Sequence, residues 1–335
     1  MTVRKFKIAQ IGTGNRGIAT LRALAEYPDR IEIAAVCDTD PEKVKQVADQ
    51  YGVPGFSSVE ELLNRASFEV ASVTTATPVR QMVAEPLLKA GIDILIDKPF
   101  AETLVEARQI VEVAEREKRR VAVGQNYRYL SGYDTARKFL VQNRLGPPRH
   151  LTHTVLTHRQ DRGWRTDRKR YVMAVMSIHW LDGYRWMLDD EPASIYCQTS
   201  KSRTIEANGE SHTSLIIKFQ RGCVVQLTES FGSHRRWSHP PQLDCDHGTL
   251  EITNDQLNVY QVDSTKPIEV IPTHRASMDQ ATYLCLADLL TAIETDTDPP
   301  NSGQDNLQSM AMLEAAYLSA AENRIVDWAE MRIQS

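Results

Sequence analysis

The residues whose types and spacing could do chemistry begin with the run Gly12-Thr13-Gly14-Asn15-Arg16-Gly17, which follows a short apolar stretch and opens a helical pattern carried by Ile18, Leu21 and Ala25. In such a turn the first glycine permits the tight bend, the second lets the backbone approach a pyrophosphate, and the third lets helix and strand pack closely. The start of the helix adds free N–H groups and the positive end of a dipole. About twenty residues farther on, Val36-Cys37-Asp38 ends a second apolar run and places a carboxylate where it would accept hydrogen bonds from an adenosine ribose and repel a ribose 2′-phosphate. The expected cofactor is therefore NAD, with NADP as the alternative should Arg16 or Lys43 neutralise the extra phosphate. A second group, Ile96-Asp97-Lys98-Pro99-Phe100, sets a charged pair at the carboxyl end of a buried strand, the edge at which ligands sit in open α/β sheets. A third, Ser177-Ile178-His179-Trp180-Leu181-Asp182, begins an amphipathic helix that continues through Tyr184, Arg185 and Trp186. Imidazole is the side chain whose ordinary pKa best suits proton transfer near neutral pH, which singles out His179.

The elements that must position these residues can be read from the apolar pattern. Continuous runs at Phe6–Ile11, Ile31–Val36, Val70–Val73, Ile92–Ile96 and Val121–Val123 predict buried strands. Helical spacing between them, as in Pro41–Tyr51 and Thr103–Arg116, predicts βαβ units and hence a doubly wound parallel sheet. After Val123 the pattern changes. A helix over Tyr133–Asn143 is expected to stop at Gly146-Pro147-Pro148, and period-two alternation then dominates, for example at Thr213, Leu215, Ile217 and Phe219. That alternation predicts a mostly antiparallel sheet with one covered face. Helices over Met278–Ile293 and Asp305–Ala321 close the chain. The expected organisation is thus an α/β protein with a Rossmann domain over residues 1–125 and a second α/β domain over residues 126–335.

Composition narrows the function. A net charge of −5 without a long basic run argues against nucleic acid as a partner. Five scattered cysteines with no Cys-x-x-Cys pair read as free thiols in a reducing compartment. Neither a signal-peptide pattern nor a membrane-spanning apolar run is expected, so the default location is the cytoplasm. No metal site is expected either. His153 and His158 fall on opposite faces of a regular strand that also carries His150, and Asp244-Cys245-Asp246-His247 lacks a closed ligand set.

Taken together, the glycine loop ending in Arg16-Gly17, Asp38, the Thr77-Pro78 turn, Asp97-Lys98-Pro99, Asn126-Tyr127-Arg128, the His179-x-x-Asp182 helix and Ser302-Gly303-Gln304-Asp305 before Ala315-Ala316-Tyr317 follow one order along nearly the whole chain. In this the sequence resembles the family of glucose-fructose oxidoreductase, inositol dehydrogenase and rhizopine catabolism proteins. The resemblance implies a Rossmann domain followed by a domain with a large open, predominantly antiparallel sheet, whose free face pairs subunits into a homodimer or homotetramer. Residues such as Ile216, Val224 and Leu227 would then be partly covered by another subunit. It implies that Thr75, Ala76, Thr77, Pro78, Asp97, Lys98 and Asn126 join Gly12, Thr13, Gly14, Asn15, Arg16, Gly17 and Asp38 at the cofactor. Lys98, Arg128, Trp164, Arg165, His179 and Asp182 would contact a small sugar or polyol substrate.

The activity so implied is a dehydrogenase acting on a carbinol carbon. His179 would take the hydroxyl proton and Lys98 would stabilise developing alkoxide charge, or the two would exchange roles. One position departs from the pattern: relatives carry an acid one turn before the histidine, where this chain has Val175. A valine cannot orient an imidazole or share a proton. Two alternatives follow, namely a lyase or glycosidase that oxidises its substrate transiently with held NAD, and a catalytically silent binder of sugar or cofactor.

Overall fold

The early apolar runs become β1 (Phe6–Ile11), β2 (Ile31–Cys37), β3 (Gly55–Phe56), β4 (Val70–Val73), β5 (Asp93–Ile96) and β6 (Val121–Val123). They form one six-stranded sheet in the order β3-β2-β1-β4-β5-β6, every neighbouring pair parallel. In the computed structural model, which describes residues 4–130, 132–273 and 276–331, this sheet is the centre of a Rossmann arrangement. The strand order reverses beside β1, so the carboxyl ends of β1 and β4 open the crevice where such folds take their ligands. β4 and β5 are buried at every residue, as strands covered on both faces must be.

Local signals explain the helices between these strands: α1 (Asn15–Ala25), α2 (Pro41–Tyr51), α3 (Val59–Arg65), α4 (Arg80–Lys89) and α5 (Leu104–Arg116). Asp40 caps α2 by accepting from the Glu42 and Lys43 amides, Pro41 takes the first turn, and Gly52 closes the helix in the left-handed region. Thr103 and Glu106 form a reciprocal capping box at α5. Each cap is worth about 1 kcal/mol. Because Asp40 holds the cap of α2, the carboxylate of Asp38 is left for other work.

The second sheet has nine strands: β7 (Pro148–His158), β8 (Pro192–Ser200), β9 (His212–Phe219), β10 (Val224–Ser230), β11 (Gly232–Cys245), β12 (Gly248–Ile252), β13 (Gln256–Tyr260), β14 (Glu269–Pro272) and β15 (Val326–Asp327). The order is β14-β13-β12-β11-β7-β10-β9-β8-β15, antiparallel except where β10 runs parallel to β7. One face is apolar and buried, through Leu151, His153, Leu215, Ile217, Val225 and Leu227. This separates residues that the sequence reading grouped together. Leu227 is fully buried on the covered face, whereas Ile216 stands on the outer face at 47% exposure, because neighbouring strand positions alternate sides. Among residues 127–188 the α-helices are α6 (Tyr127–Leu130), α7 (Tyr133–Val141) and α8 (Ile178–Leu188).

Contacts divide the chain into two units, Met1–Asn126 with Ser277–Gln308 and Tyr127–Ala276 with Ser309–Ser335. The sequence reading placed a single boundary near residue 125 and put everything beyond it in the second domain. Residues 277–308 instead return to the first unit, where α9 (Met278–Thr295) lies against α1. Arg22 forks onto Asp279 at 2.9 Å, Arg30 onto Glu294, and Tyr27 stacks on Tyr283. Asn301 exchanges main-chain and side-chain bonds with Val123, so the edge of β6 is closed by chain from far along the sequence.

Candidate active site

In the first unit the glycine turn has the form its sequence requires. Gly12 sits at φ +88°, and a Cβ there would lie 2.9 Å from the Thr75 nitrogen. A Cβ on Gly17 would lie 1.9 Å from the Gly12 carbonyl oxygen, so the helix and the turn approach too closely for any side chain. At Gly14, by contrast, nothing lies within 4 Å of an added Cβ. That open approach, at the N-terminus of a helix with no side-chain cap, is what a dinucleotide phosphate needs. Asp38 closes the far side: Oδ2 accepts from the Thr13 amide at 2.6 Å and its hydroxyl at 3.0 Å, and Oδ1 from the Asp40 amide at 3.1 Å. An ionised carboxylate offers about four acceptor sites, which leaves it able to take a ribose hydroxyl as well. The residues present therefore fit NAD. Thr75, Ala76, Thr77 and Pro78 follow β4 directly, and Thr77 to Val79 form a single tight helical turn before α4.

Asp97, Arg16 and Arg80 form a buried charge cluster under the Lys98 turn. Arg16 Nε is 3.0 Å from Asp97 Oδ1 and Arg80 Nη2 is 3.3 Å from Oδ2. Burial pushes the Asp97 carboxyl up, but the Arg16, Arg80 and Lys98 cations outweigh that and hold it below the usual carboxylate range. Arg80, only 3% exposed, also donates to the main-chain carbonyls of Thr75, Asp97 and Pro99. Asp97 and Arg16, expected to touch the cofactor, are thus engaged with each other. Arg80 carried no expected role, because nothing nearby in the chain marks a buried guanidinium. The Asn126 amide donates to the Met278 sulfur.

In the second unit His179 lies on the first turn of α8, 4% exposed and stacked on Tyr127 at 4.1 Å between ring centres. Tyr127 meets the edge of Trp180 at 4.9 Å, and burial, aided by the Glu229 charge, pushes its hydroxyl above the ordinary tyrosine value. Glu229 itself is 1% exposed and accepts from the Ser177 hydroxyl at 2.6 Å and the Trp180 indole at 3.1 Å. The sequence reading missed this carboxylate, although β10 carried the signal: Val225, Leu227 and Glu229 share one parity, so a charge falls on an apolar face.

The approach to α8 differs from the expected start at Ser177. Met173–Ser177 form a wide π turn, a form often found at functional sites, so the helix begins earlier and residue 175 is not set squarely one α turn before His179. Val175 is half-buried there. Glu210 supplies the acid that caps this helix, accepting from the Tyr171 and Met173 amides and from the Tyr317 hydroxyl at 2.8 Å. Burial raises its carboxyl above the usual range despite those bonds.

Two residues expected at the substrate prove to serve each other. Arg128 and Asp182 are each 1% exposed and form a two-pronged ion pair at 2.7 and 2.6 Å, with the Ser309 hydroxyl adding a third bond to Asp182. The fork of a guanidinium matches a carboxylate so well that the pair acts as a strut beneath α8. Trp164 and Arg165 occupy a short turn, Gly163–Arg165, with the Arg165 guanidinium over the indole ring and Trp164 39% exposed. Among the described residues no cluster of three or more His, Cys, Asp or Glu is arranged to hold a metal, and no helix is long and apolar enough to cross a membrane.

Known proteins share this organisation. The D-apiose dehydrogenase of Paraburkholderia graminis is 25% identical over 97% of this chain and 90% of its own length. The inositol 2-dehydrogenase of Rhizobium meliloti is 23% identical over 97% of this chain and 98% of its own. An oxidoreductase from Agrobacterium radiobacter, solved with NAD+, L-tartaric acid and magnesium, superposes with a TM-score of 0.86 at 22% identity, over 98% of this chain and all of its own. The aldose-aldose oxidoreductase of Caulobacter crescentus, solved with glycerol, gives the same TM-score at 21% identity, over 97% of this chain and 100% of its own. Residues 6–125 match the oxidoreductase family with an NAD-binding Rossmann fold, and residues 133–251 match the GFO/IDH/MocA C-terminal domain. With both of its domains accounted for, this chain belongs to the GFO/IDH/MocA family of NAD-binding oxidoreductases.

Proposed function

We propose that this protein is an NAD-dependent dehydrogenase that oxidises a carbinol carbon of a sugar, polyol or sugar acid, with Lys98 and His179 at the reacting centre. The substrate class rests on the likeness to D-apiose and inositol dehydrogenases. The observation that carries the chemistry is the seat of His179, a buried imidazole stacked on Tyr127 at the start of a helix. A base held this firmly loses little freedom on accepting a hydroxyl proton. The Lys98 ammonium, on a turn gripped by Arg80, stabilises the negative charge that develops on the oxygen. Gly12, Thr13, Gly14, Asn15, Arg16, Gly17 and Asp38, with Thr75–Pro78, hold the dinucleotide. When bound, NAD supplies the hydride acceptor.

Spectroscopic NADH formation with a panel of aldoses, inositols and sugar acids tests this reading. Turnover with at least one neutral polyol is expected, and Lys98→Ala and His179→Ala should each lower it at least a hundredfold, the scale of one general acid–base group, while leaving NAD affinity nearly intact. Product formed without net NADH would replace this reading with transient oxidation. Ligand binding with no turnover anywhere would replace it with a silent binder.

The protein acts as a homodimer or homotetramer through the outer face of the nine-stranded sheet. Ile216, Trp237 and Val270 on that sheet are each 47% exposed, an amount of apolar surface that a partner copy would cover. Light scattering should give a mass at least twice that of one chain, and Ile216→Glu with Trp237→Glu should halve it. Five free thiols, four of them buried, fit a cytoplasmic setting.

A further inference from the structure

β7 and β10, the parallel pair of the nine-stranded sheet, finish side by side. Val155 faces Glu229, Leu156 faces Ser230, and just past both strands the Arg159 amide donates to the Phe231 carbonyl at 2.8 Å. Glu229 and Phe231, two residues apart, are both buried, and the Arg159 guanidinium lies over the Phe231 ring, 4.8 Å from its centre. Glu229 in turn bonds Ser177 and Trp180, which flank His179, so Arg159 is set beside the residues that seat the imidazole. We propose that Arg159 is the specificity-determining residue of that site, taking a substrate carboxylate on its outer edge, so that polyhydroxy acids are preferred over neutral sugars and polyols. This rests on the dehydrogenase reading given above.

The guanidinium is held in a way that leaves one edge open. Its Nε donates to Asp161 Oδ1 at 3.0 Å, and Asp161 is itself tied down by its amide, which donates to the Tyr171 hydroxyl at 3.1 Å. Phe231 covers one face of the plane. Among the described residues neither Nη1 nor Nη2 donates to a partner, and the side chain is 34% exposed. Two parallel N–H groups on a held plane match the two oxygens of a carboxylate, whereas a substrate hydroxyl would use only one of them. The cation also reaches the ring stacked on His179: burial and then the Glu229 charge push the Tyr127 hydroxyl up, and Arg159 pulls it the other way.

Charge around this edge favours an anion. The two carboxylates beside it are already engaged, Asp161 with Arg159 and Glu229 with Ser177 and Trp180. β11 bulges between Gly232, which faces His158, and Trp237, which faces Leu156, and His234 of that bulge stacks on His158 at 5.5 Å. The bulge thus brings the exposed Arg235 and Arg236 to the end of β7, where the exposed Arg162 follows. Such an excess of cations steers an anion inward. Arg159 offers one fork and already shares its charge with Asp161, which suits a singly charged carboxylate better than a phosphate dianion. The carboxylate takes no part in the chemistry: the carbinol carbon gives its hydride to NAD, the hydroxyl gives its proton to the base, and a keto acid results.

Initial rates of NADH formation with D-gluconate, D-galactonate and D-mannonate, each against its own alditol, test the assignment. At least one acid should exceed its alditol about tenfold or more in kcat/KM, the scale of a charge-assisted two-pronged bond, with the difference mainly in KM. In Arg159→Gln that ratio should fall to about one. Because this variant leaves Asp161 without its cation, Arg159→Gln combined with Asp161→Asn should give the same fall. Arg159→Lys, which keeps the charge without the fork, should recover only part of the ratio. Acids no better than alditols in the parent, a ratio unchanged in both glutamine variants, or D-glucitol 6-phosphate outrunning every acid would each overturn the proposal. Calorimetric titration of the NAD-loaded protein with D-gluconate separates it from the dehydrogenase reading. Acid binding that is lost in Arg159→Gln, with no turnover of any compound, would sink that reading and keep the carboxylate site, whereas turnover blind to the carboxylate would do the reverse.

Discussion

Arg80 donates to the main-chain carbonyls of both Asp97 and Pro99, so one buried guanidinium grips the turn that carries Lys98 from either side. Arg80→Met would take a donor from those carbonyls and from that of Thr75 and remove one of the cations facing Asp97. Breaking such a buried network costs on the order of 3 kcal/mol. Thermal denaturation should show a clearly lower midpoint, and kcat should fall at least tenfold as the Lys98 turn loosens. Arg80→Lys restores charge without the planar fork, so it should recover stability more than turnover. An Arg80→Met protein with parental melting and parental kcat would rule out the clamp.

Asp38 should decide between the two dinucleotides. Asp38→Ala removes ribose hydrogen bonds and a charge that repels a 2′-phosphate, and it frees Thr13 from its anchor. Fluorescence titration should show NAD affinity weakened about tenfold, as expected for a lost charge-assisted bond, with the gap to NADP narrowed. Thr13→Val, which keeps the main-chain bond to Asp38, separates loop anchoring from ribose contact. It should move NAD affinity far less.

Acid should loosen the Asp97 cluster. Its carboxyl is held below the ordinary value because the arginines and Lys98 outweigh burial, so the folded state binds its proton less readily than the unfolded chain. That stabilisation is complete above the unfolded aspartate value of about 3.9 and is lost as pH falls through the lower native value. In denaturant titrations across this acid range, Asp97→Asn should start less stable at neutral pH and lose stability less steeply below about pH 4. Parallel profiles for parent and variant would mean that Asp97 titrates alike in both states.

Val175 should behave as part of a specialised pocket rather than as a scar. It is half-buried on a π turn, and the buried carboxylates of Glu210 and Glu229 already serve that helix. Val175→Asp would add a desolvated charge, so KM for the native substrate should rise about tenfold or more, with kcat no better. A large gain in kcat on simple polyols would instead identify a lost general-base partner.

What was legible in the sequence was local. Gly12, Gly14 and Gly17 are dictated by backbone sterics within six residues, Asp38 by its place at the end of a strand, and the strands and helices by apolar periods of two and 3.6. The caps of α2 and α5 are likewise written in four consecutive residues. Family membership followed because these local signals occur in one order.

Tertiary structure alone decided which charged residues meet. Arg128 finds Asp182, Asp97 finds Arg16 and Arg80, and Glu229 finds Ser177 and Trp180, each across a long stretch of chain. Arginine and carboxylate side chains read alike from sequence whether solvated or buried, since their environment is set by contacts remote along the chain. The return of residues 277–308 to the first unit, the parallel pairing of β10 with β7, and the π turn before His179 share that origin. Periodicity states what kind of element a segment forms. Which partner it packs against, and so which polar groups are left for chemistry, depends on loop closure and burial summed over the whole fold.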